Sequence, residues 1–183
     1  MSDVVYRRKT IRLKDWDYSS EGAYYVTLCT DKMVHLFGKV ANENMELNGF
    51  GKIVQKEWLR TAELRTNVVI DEFIVMPNHL HGIIMILEKA GGKAGRGELT
   101  FAHNKHLRSP SQSLGSIIRG FKSASTRRIN ENRNSMNEKI WQRNYYERII
   151  RNYNELDKFR NYILENPVRW TLKKEFPENI YNK

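Results

Sequence analysis

The chain has 183 residues, 40% of them hydrophobic and 11% aromatic, which is enough for one buried core and short for two. Its single cysteine, Cys29, excludes an internal disulfide framework and any zinc site built from cysteines. No apolar stretch reaches the ~18 residues of a membrane span and no signal peptide is evident, so we expect one cytoplasmic domain over residues 1–183.

The charge is strongly positive and unevenly distributed. Lysine and arginine number 31 against 21 acidic residues, a net charge of +10. Residues 93–139 hold ten of these cations and only three glutamates, so +7 of the +10 lies in that quarter of the chain. Such a concentrated field favours a polyanion, most commonly nucleic acid, although charge alone is equally compatible with a role in solubility.

The first half of the chain predicts a basic arm, three strands and one helix. Residues 1–20 are polar and basic, whereas residues 22–30 (GAYYVTLCT) are aromatic and β-branched and predict a strand. Apolar residues at helical spacing predict a helix over 51–64. Strands are predicted at 68–76 and 79–87, with a tight turn at Pro77 and Asn78 between them.

The second half predicts a loop, two helices and a strand. Residues 89–113 are rich in Gly, Ser and basic residues and predict a mobile loop. An amphipathic helix is predicted over about 114–130 and a fourth strand over 140–150. A last helix is predicted from a cap at Asn154 to residue 165 or 166, where Pro167 would end it.

The predicted order is β-α-β-β-α-β followed by a C-terminal helix. This order is typical of the ferredoxin-like (split βαβ) α+β fold, in which a four-stranded antiparallel sheet carries two helices on one face. The additional C-terminal helix would carry Tyr162. The topology by itself does not name a function.

The most informative short motif is Asn-His-Leu-His-Gly at residues 78–82. Because side chains alternate along a strand, His79 and His81 project from the same face. Two imidazoles placed in this way can share a metal ion. Two half-buried histidines bonded to neighbouring carbonyls would give the same pattern, so the motif alone leaves both interpretations open.

Tyr162 and Asn166 lie four residues apart on the last predicted helix and are therefore neighbours on its surface. Tyrosine can act as a covalent nucleophile, but its ordinary pKa near 10 requires a strongly activated electrophile. A divalent cation held by two imidazoles and an amide oxygen would polarise a phosphodiester for in-line attack. Such a site would break a DNA strand without consuming water.

Several stretches together resemble a known family. NHLHG is similar to the HUH motif (His, hydrophobic residue, His) of single-tyrosine HUH endonucleases and transposases. More closely, the chain resembles the REP-associated tyrosine transposases. The matching stretches are RRKTIRLKDWDYSSEGAYYVTLCT (7–30), FIVMPNHLHGIIMI (73–86), GSIIRGFKSASTRRIN (115–130) and WQRNYYERIIRNYNELDKFRNYILENPVRW (141–170).

The resemblance implies a mechanism and assigns site residues. His79 and His81 match the metal-binding histidines, Tyr162 matches the nucleophile, and Asn166 matches the third, amide-bearing metal ligand. Family enzymes use Mg²⁺ or Mn²⁺, cleave single-stranded DNA beside hairpins, and form a 5′-phosphotyrosine while freeing a 3′-hydroxyl. Tyr145 and Tyr146 are competing tyrosines, but only Tyr162 has an amide one helical turn away.

Basic residues of the arm, the second helix and the fourth strand are predicted to contact DNA phosphates. They are Arg7, Arg8, Arg12, Arg119, Lys122, Arg127, Arg128, Arg143 and Arg148. Arginines beside Tyr145 and Tyr146 would also suit stacking of single-stranded bases.

The leading functional hypothesis is therefore a metal-dependent, single-stranded DNA endonuclease and strand-transferase acting at REP hairpins. The alternatives are a non-catalytic nucleic-acid-binding protein derived from a transposase and a metal phosphodiesterase that acts through water. The sequence does not distinguish a homodimer from a monomer, a mobile element from a domesticated one, or Mg²⁺ from Mn²⁺. We expect a cytoplasmic protein that is associated with the nucleoid when bound to DNA.

Overall fold

The computed structural model describes residues 18, 20–87, 113–135 and 137–172. The basic arm with Arg7, Arg8 and Arg12, and all but the last residue of the segment predicted as a mobile loop, lie outside these residues. The elements in chain order are β1 (Gly22–Cys29), a 3₁₀ turn (Asp31–Met33), β2 (Gly38–Ala41), β3 (Asn44–Leu47), α1 (Gly49–Glu63), β4 (Val68–Met76), β5 (His79–Ile86), α2 (Leu114–Asn132), β6 (Tyr146–Ile150), α3 (Tyr153–Leu164) and α4 (Asn166–Thr171).

The central sheet has four antiparallel strands in the order β4-β5-β1-β6. β1 and β5 pair over their whole length, with Gly22 opposite Ile86 and Cys29 opposite His79. This order is the one that the β-α-β-β-α-β pattern predicts, so the ferredoxin-like α+β fold is confirmed. None of the helices in the described part of the chain combines the length and apolarity needed to cross a membrane.

The two faces of the sheet carry different helices because successive strand residues point to opposite sides. Even-numbered residues of β1 and β5, such as Tyr24 and Leu80, pack with α1 and α2 in one core cluster. Odd-numbered residues, such as Tyr25 and Ile83, pack with α3 in a second cluster. The predicted arrangement of two helices on one face and a C-terminal helix elsewhere is confirmed, and the face under α3 is the one that carries both histidines.

Two features between the predicted elements differ from the sequence-based expectation. The β2–β3 hairpin, a separate two-stranded sheet between β1 and α1, was not predicted. The fourth strand begins at Tyr146 rather than at residue 140. The Lys122 ammonium of α2 donates to the carbonyls of Gln142 and Asn144 (2.9 and 3.2 Å). These carbonyls are therefore bonded to a side chain and not to a neighbouring strand.

The C-terminal region also corrects two predictions. The cap of α3 is Asn152 and not Asn154, since its Oδ1 accepts from the Glu155 N–H at 2.8 Å. The helix with Tyr162 ends at Leu164, close to the predicted residue 165, but it is not the last one, because Pro167 lies in the first turn of α4, where the missing N–H has no intrahelical partner to lose. The chain therefore turns at Glu165 and continues as a short helix.

Candidate active site

Four residues that are remote in sequence converge on the α3 face of the sheet. The ring centroids of His79 and His81 on β5 lie 4.5 Å apart, and the centroid of the His81 ring lies 5.2 Å from that of the Tyr162 ring on α3. Asn166, the first residue of α4, is buried, and its side chain is near enough to His79 and Tyr162 to influence the pKa of both. The structure thus brings together all four residues that the sequence singled out.

Asn78 fixes the orientation of the His79 ring. Its Nδ2 donates to the Met33 carbonyl (3.4 Å), while its Oδ1 lies 2.6 Å from His79 Nδ1. An amide oxygen only accepts hydrogen bonds, so Nδ1 of His79 must carry the proton. The lone pair of this imidazole is therefore on Nε2.

Two hydroxyls of the neighbouring strand hold His81. Its Nδ1 lies 2.7 Å from Tyr25 Oη and 2.9 Å from Thr27 Oγ1. The Tyr25 ring is itself fixed, since it stacks on His81 at 5.6 Å and on Phe159 of α3 at 4.4 Å. His81 Nε2 is buried and has no hydrogen-bond partner among the described residues, which is the state expected of a nitrogen that awaits a ligand.

Burial sets the protonation states in the cluster. It lowers the pKa of His79 to about 4 and that of His81 well below its usual value, so both imidazoles are neutral at pH 7. Burial also raises the pKa of the Tyr162 phenol, while the Asn166 hydrogen bond and the charge of Arg169 act in the opposite direction. Neutral imidazoles are the form that binds metal ions.

The donor set fits a divalent cation. No three His, Cys, Asp or Glu side chains among the described residues are grouped so that they could hold a metal. A cation bound by His79 and His81 would therefore take its third protein ligand from the Asn166 amide. Two imidazoles and one carboxamide leave the positive charge of the cation uncompensated, which suits a site that receives phosphate.

Comparison with known proteins shows the family to which the chain belongs. The family model for IS200-like transposases matches residues 100–166, which include Tyr162 and Asn166. An uncharacterised protein of Haemophilus influenzae is 40% identical over 166 residues, covering 91% of each chain. The chain belongs to the IS200-like transposase family. The recognition made from the sequence motifs is thereby confirmed, and the family is one of DNA-processing enzymes.

A solved structure has the same fold as this family member. It is a REP-associated tyrosine transposase bound to a REP hairpin, and it superposes with a TM-score of 0.59 at 17% sequence identity. The match covers 91% of this chain and 79% of the other. The likeness supports the four-stranded antiparallel sheet and its helices as a transposase fold.

The two competing tyrosines of this transposase lie in other environments. Tyr145 packs against the core under α1 and α2, with the Lys122 ammonium 5.3 Å from its ring. Tyr146 contacts Tyr25 edge-on at 6.4 Å. The Tyr162 ring, by contrast, lies 5.2 Å from the His81 ring between centroids, so Tyr162 stays the candidate nucleophile.

Three of the described cations predicted to bind DNA are held by partners within the protein that are themselves largely buried or part of the backbone. Arg128 forms an ion pair with the buried Glu57 at 2.5 Å, which joins α2 to α1. Arg148 pairs with Glu155 at 2.7 Å. Lys122 holds the backbone carbonyls described above, and burial lowers its pKa to about 8.

The other three described cations line a large cleft along α2. Arg119, Arg127 and Arg143 border this cleft of about 2040 Å³, which extends past Tyr146 and Thr27 to His81. Arg127 has an exposed partner, Glu131, at 3.8 Å. The cleft therefore offers positive charge on a path that ends at the histidine cluster.

Sequence reasoning missed several neighbours of the site. Asn78, Tyr25 and Thr27 hold the imidazoles, Arg169 lies over the Tyr162 ring, and Trp170 lies 5.8 Å from the His79 ring. Strand alternation places Tyr25 and Thr27 on one face, which is a signal in the sequence. The register that sets Thr27 opposite His81 is not visible there.

Proposed function

We propose that this chain is a metal-dependent, single-stranded DNA endonuclease and strand-transferase of the single-tyrosine HUH type. It uses Tyr162 as the nucleophile and forms a 5′-phosphotyrosine intermediate at hairpin-associated sites. The observation that carries the proposal is the buried cluster in which the His81 ring lies next to both the His79 ring and the Tyr162 ring, with Asn166 buried near His79 and Tyr162.

His79, His81 and Asn166 would hold Mg²⁺ or Mn²⁺. The bound cation supplies Lewis-acid polarisation of the phosphodiester and compensates the charge of the phosphate. Asn78 supports this role because it leaves the lone pair of His79 on Nε2. Tyr25 and Thr27 support it because they hold the His81 ring through its other nitrogen, as neighbouring hydroxyls and carbonyls do for metal-binding imidazoles.

The covalent step exchanges one ester for another. Tyr162 Oη attacks the phosphorus, the Oη–P bond forms, and the bond from phosphorus to the 3′-oxygen breaks. The phenol loses its proton and the leaving 3′-oxygen takes one up, so no water or ATP is consumed. Since the phosphotyrosine conserves the ester bond, a second 3′-hydroxyl can attack it and reseal or transfer the strand.

The substrate we propose is hairpin DNA with a single-stranded flank. The solved transposase that shares the fold is bound to a REP hairpin, and the chain carries a net charge of +10. Its α2 cleft joins exposed arginines to the histidine cluster. A protein that cleaves chromosomal DNA would be located in the cytoplasm, at the nucleoid.

The decisive experiment looks for the covalent intermediate. Hairpin-bearing single-stranded DNA is incubated with the protein and Mn²⁺, and adducts are resolved on denaturing gels and identified by mass spectrometry. We expect an adduct with the parent and with Tyr145→Phe and Tyr146→Phe, and none with Tyr162→Phe. As much adduct from Tyr162→Phe as from the parent would overturn the assignment.

Two other outcomes would favour the alternatives. Strong, salt-sensitive DNA binding without cleavage under either metal would indicate a binding protein derived from a transposase. Cleavage without any adduct, with incorporation of solvent ¹⁸O into the product, would indicate a phosphodiesterase that acts through water.

A further inference from the structure

A second, smaller cleft opens at the Tyr162 side chain. It has a volume of about 750 Å³ and lies over α3 and the start of α4. Its charged lining residues are Arg148, Arg151, Glu155, Lys158, Glu165 and Arg169. Four cations therefore face two carboxylates beside the proposed nucleophile, and three of these cations were not among the residues predicted to bind DNA.

Arg169 occupies a defined position in this cleft. Its guanidinium carbon lies 5.4 Å from the centre of the Tyr162 ring. Glu165 holds it there, because Nε and Nη2 both donate to Glu165 Oε2 at 3.1 and 2.7 Å. The Nη1 group is outside this ion pair, and the side chain remains 37% exposed. The guanidinium is thus oriented and still accessible.

An exposed ion pair one helical turn apart contributes little to the stability of a helix. Helix stability alone is therefore a weak reason for this arrangement. What the pair does achieve is to fix a planar, five-donor cation next to a phenol that is otherwise buried.

The remaining charges of the cleft favour an anion. Arg148 is neutralised by Glu155, just as Arg169 is paired with Glu165. Arg151 and Lys158 form no ion pair with any residue that the structure describes. The cleft therefore keeps a net positive charge after its internal pairs are counted, which is the property of a surface that binds successive phosphates.

We propose that Arg169 is a catalytic residue that binds a non-bridging oxygen of the scissile phosphate while the adjoining cleft holds neighbouring phosphates of the same strand. The inference rests on the proposed function of Tyr162. As the Oη–P bond forms and the bond to the 3′-oxygen breaks, negative charge builds on the non-bridging oxygens. A guanidinium already fixed by Glu165 stabilises this charge without reorganising.

The first test compares rates of adduct formation at saturating hairpin DNA. We expect Arg169→Gln to lower the rate about 10²- to 10³-fold, the effect of removing one donor to developing charge. Arg169→Lys should recover only part of the rate, because lysine keeps the positive charge but cannot make the bidentate hydrogen bonds of a guanidinium. Arg60→Gln is the matched control, since Arg60 forms an i,i+3 pair with Glu57 on α1, on the other side of the sheet. Equal rates for Arg169→Gln and Arg60→Gln would overturn the proposal.

A second test does not depend on turnover. Both substitutions are placed in the Tyr162→Phe background, and binding of a single-stranded oligonucleotide is measured as a function of salt. The logarithm of the binding constant falls linearly with the logarithm of the salt concentration. We expect Arg169→Gln to make this fall shallower by about 0.7, the value for one phosphate contact on a single strand. An unchanged slope would contradict the proposal. If the slope falls as expected but the parent protein with Tyr162 forms no adduct in the first test, the phosphate contact is retained and the proposed function is rejected instead.

Discussion

At the scale of single residues, the two imidazoles of this transposase are held by neighbouring side chains. Asn78 accepts from Nδ1 of His79, and hydroxyls of β1 contact Nδ1 of His81. In both cases the nitrogen that is held is Nδ1, and Nε2 is the nitrogen we propose for the cation. The affinity for a cation should therefore respond to residues one step removed from it.

Replacement of Asn78 tests this dependence. Asn78→Ala removes the acceptor at Nδ1, so His79 can adopt the other tautomer, and we expect Mn²⁺ affinity to fall about 10- to 100-fold by isothermal titration calorimetry. Asn78→Asp keeps an acceptor at the same place and should bind within a few-fold of the parent. The control is Asn44→Ala, in the exposed β2–β3 hairpin. Equal Mn²⁺ affinity for Asn78→Ala and Asn44→Ala would contradict the role of Asn78.

The sequence predicts the principal site residues but not their supports. Strand alternation places both histidines on one face, and the four-residue spacing brings Tyr162 next to Asn166. Contacts such as Thr27 to His81 depend on strand register, which no local pattern encodes. Arg169 was missed for another reason, because Pro167 was expected to end the helix and in fact lies in the first turn of the next one.

At the scale of elements, the position of α1 on the sheet is set by a glycine of β5. A Cβ at Gly82 would lie 2.5 Å from Cζ2 of Trp58 and 3.3 Å from Cβ of Phe73, and Trp58 is fully buried. The glycine that follows the two histidines therefore leaves room for an indole on the opposite face of the sheet. Glycine is therefore required at position 82 for packing against Trp58.

The substitution Gly82→Ala should consequently destabilise the fold. Overpacking of a rigid core costs about 1–3 kcal/mol, which urea unfolding followed by tryptophan fluorescence would measure. Gly49→Ala is the matched control, because a Cβ there has no neighbour within 4 Å, and we expect no loss of stability. Should Gly82→Ala unfold at the same urea concentration as Gly49→Ala, the close approach of Trp58 would not be real.

Long elements were predictable and short ones were not. The helical spacing of apolar residues in α2 and the apolar runs of β4 and β5 predict the type of each element and its approximate limits. The hairpin strands β2 and β3 have four residues each, too few for alternation to be distinguished from chance. The fourth strand was extended too far because residues 140–142 pair with the end of β1 only through an isolated bridge between Trp141 and Thr30, and Lys122 of α2 then binds the carbonyls of Gln142 and Asn144.

At the scale of the whole molecule, the net charge of +10 has two separate uses. Some arginines join elements of the fold, as Arg128 joins α2 to the buried Glu57 of α1. Others, such as Arg119 and Arg143, line the α2 cleft and form no ion pair with a described residue. Composition alone cannot separate these groups, because the partner of each arginine is fixed by tertiary packing.

Alanine substitution should separate the two groups by two measurements on the same variants. Arg119→Ala and Arg143→Ala should each reduce the salt slope of single-stranded DNA binding by about 0.7 and leave the free energy of unfolding unchanged, because each removes a cation that forms no ion pair within the described part of the chain. Arg128→Ala should leave that slope unchanged and lower the free energy of unfolding by about 1–3 kcal/mol, because the Glu57 carboxylate stays buried and, among the described residues, keeps only the more distant Arg60 as an ion-pair partner. A reduced slope without destabilisation in Arg128→Ala would instead place this arginine on the DNA, and the ion pair with Glu57 would then have no role in joining α1 to α2.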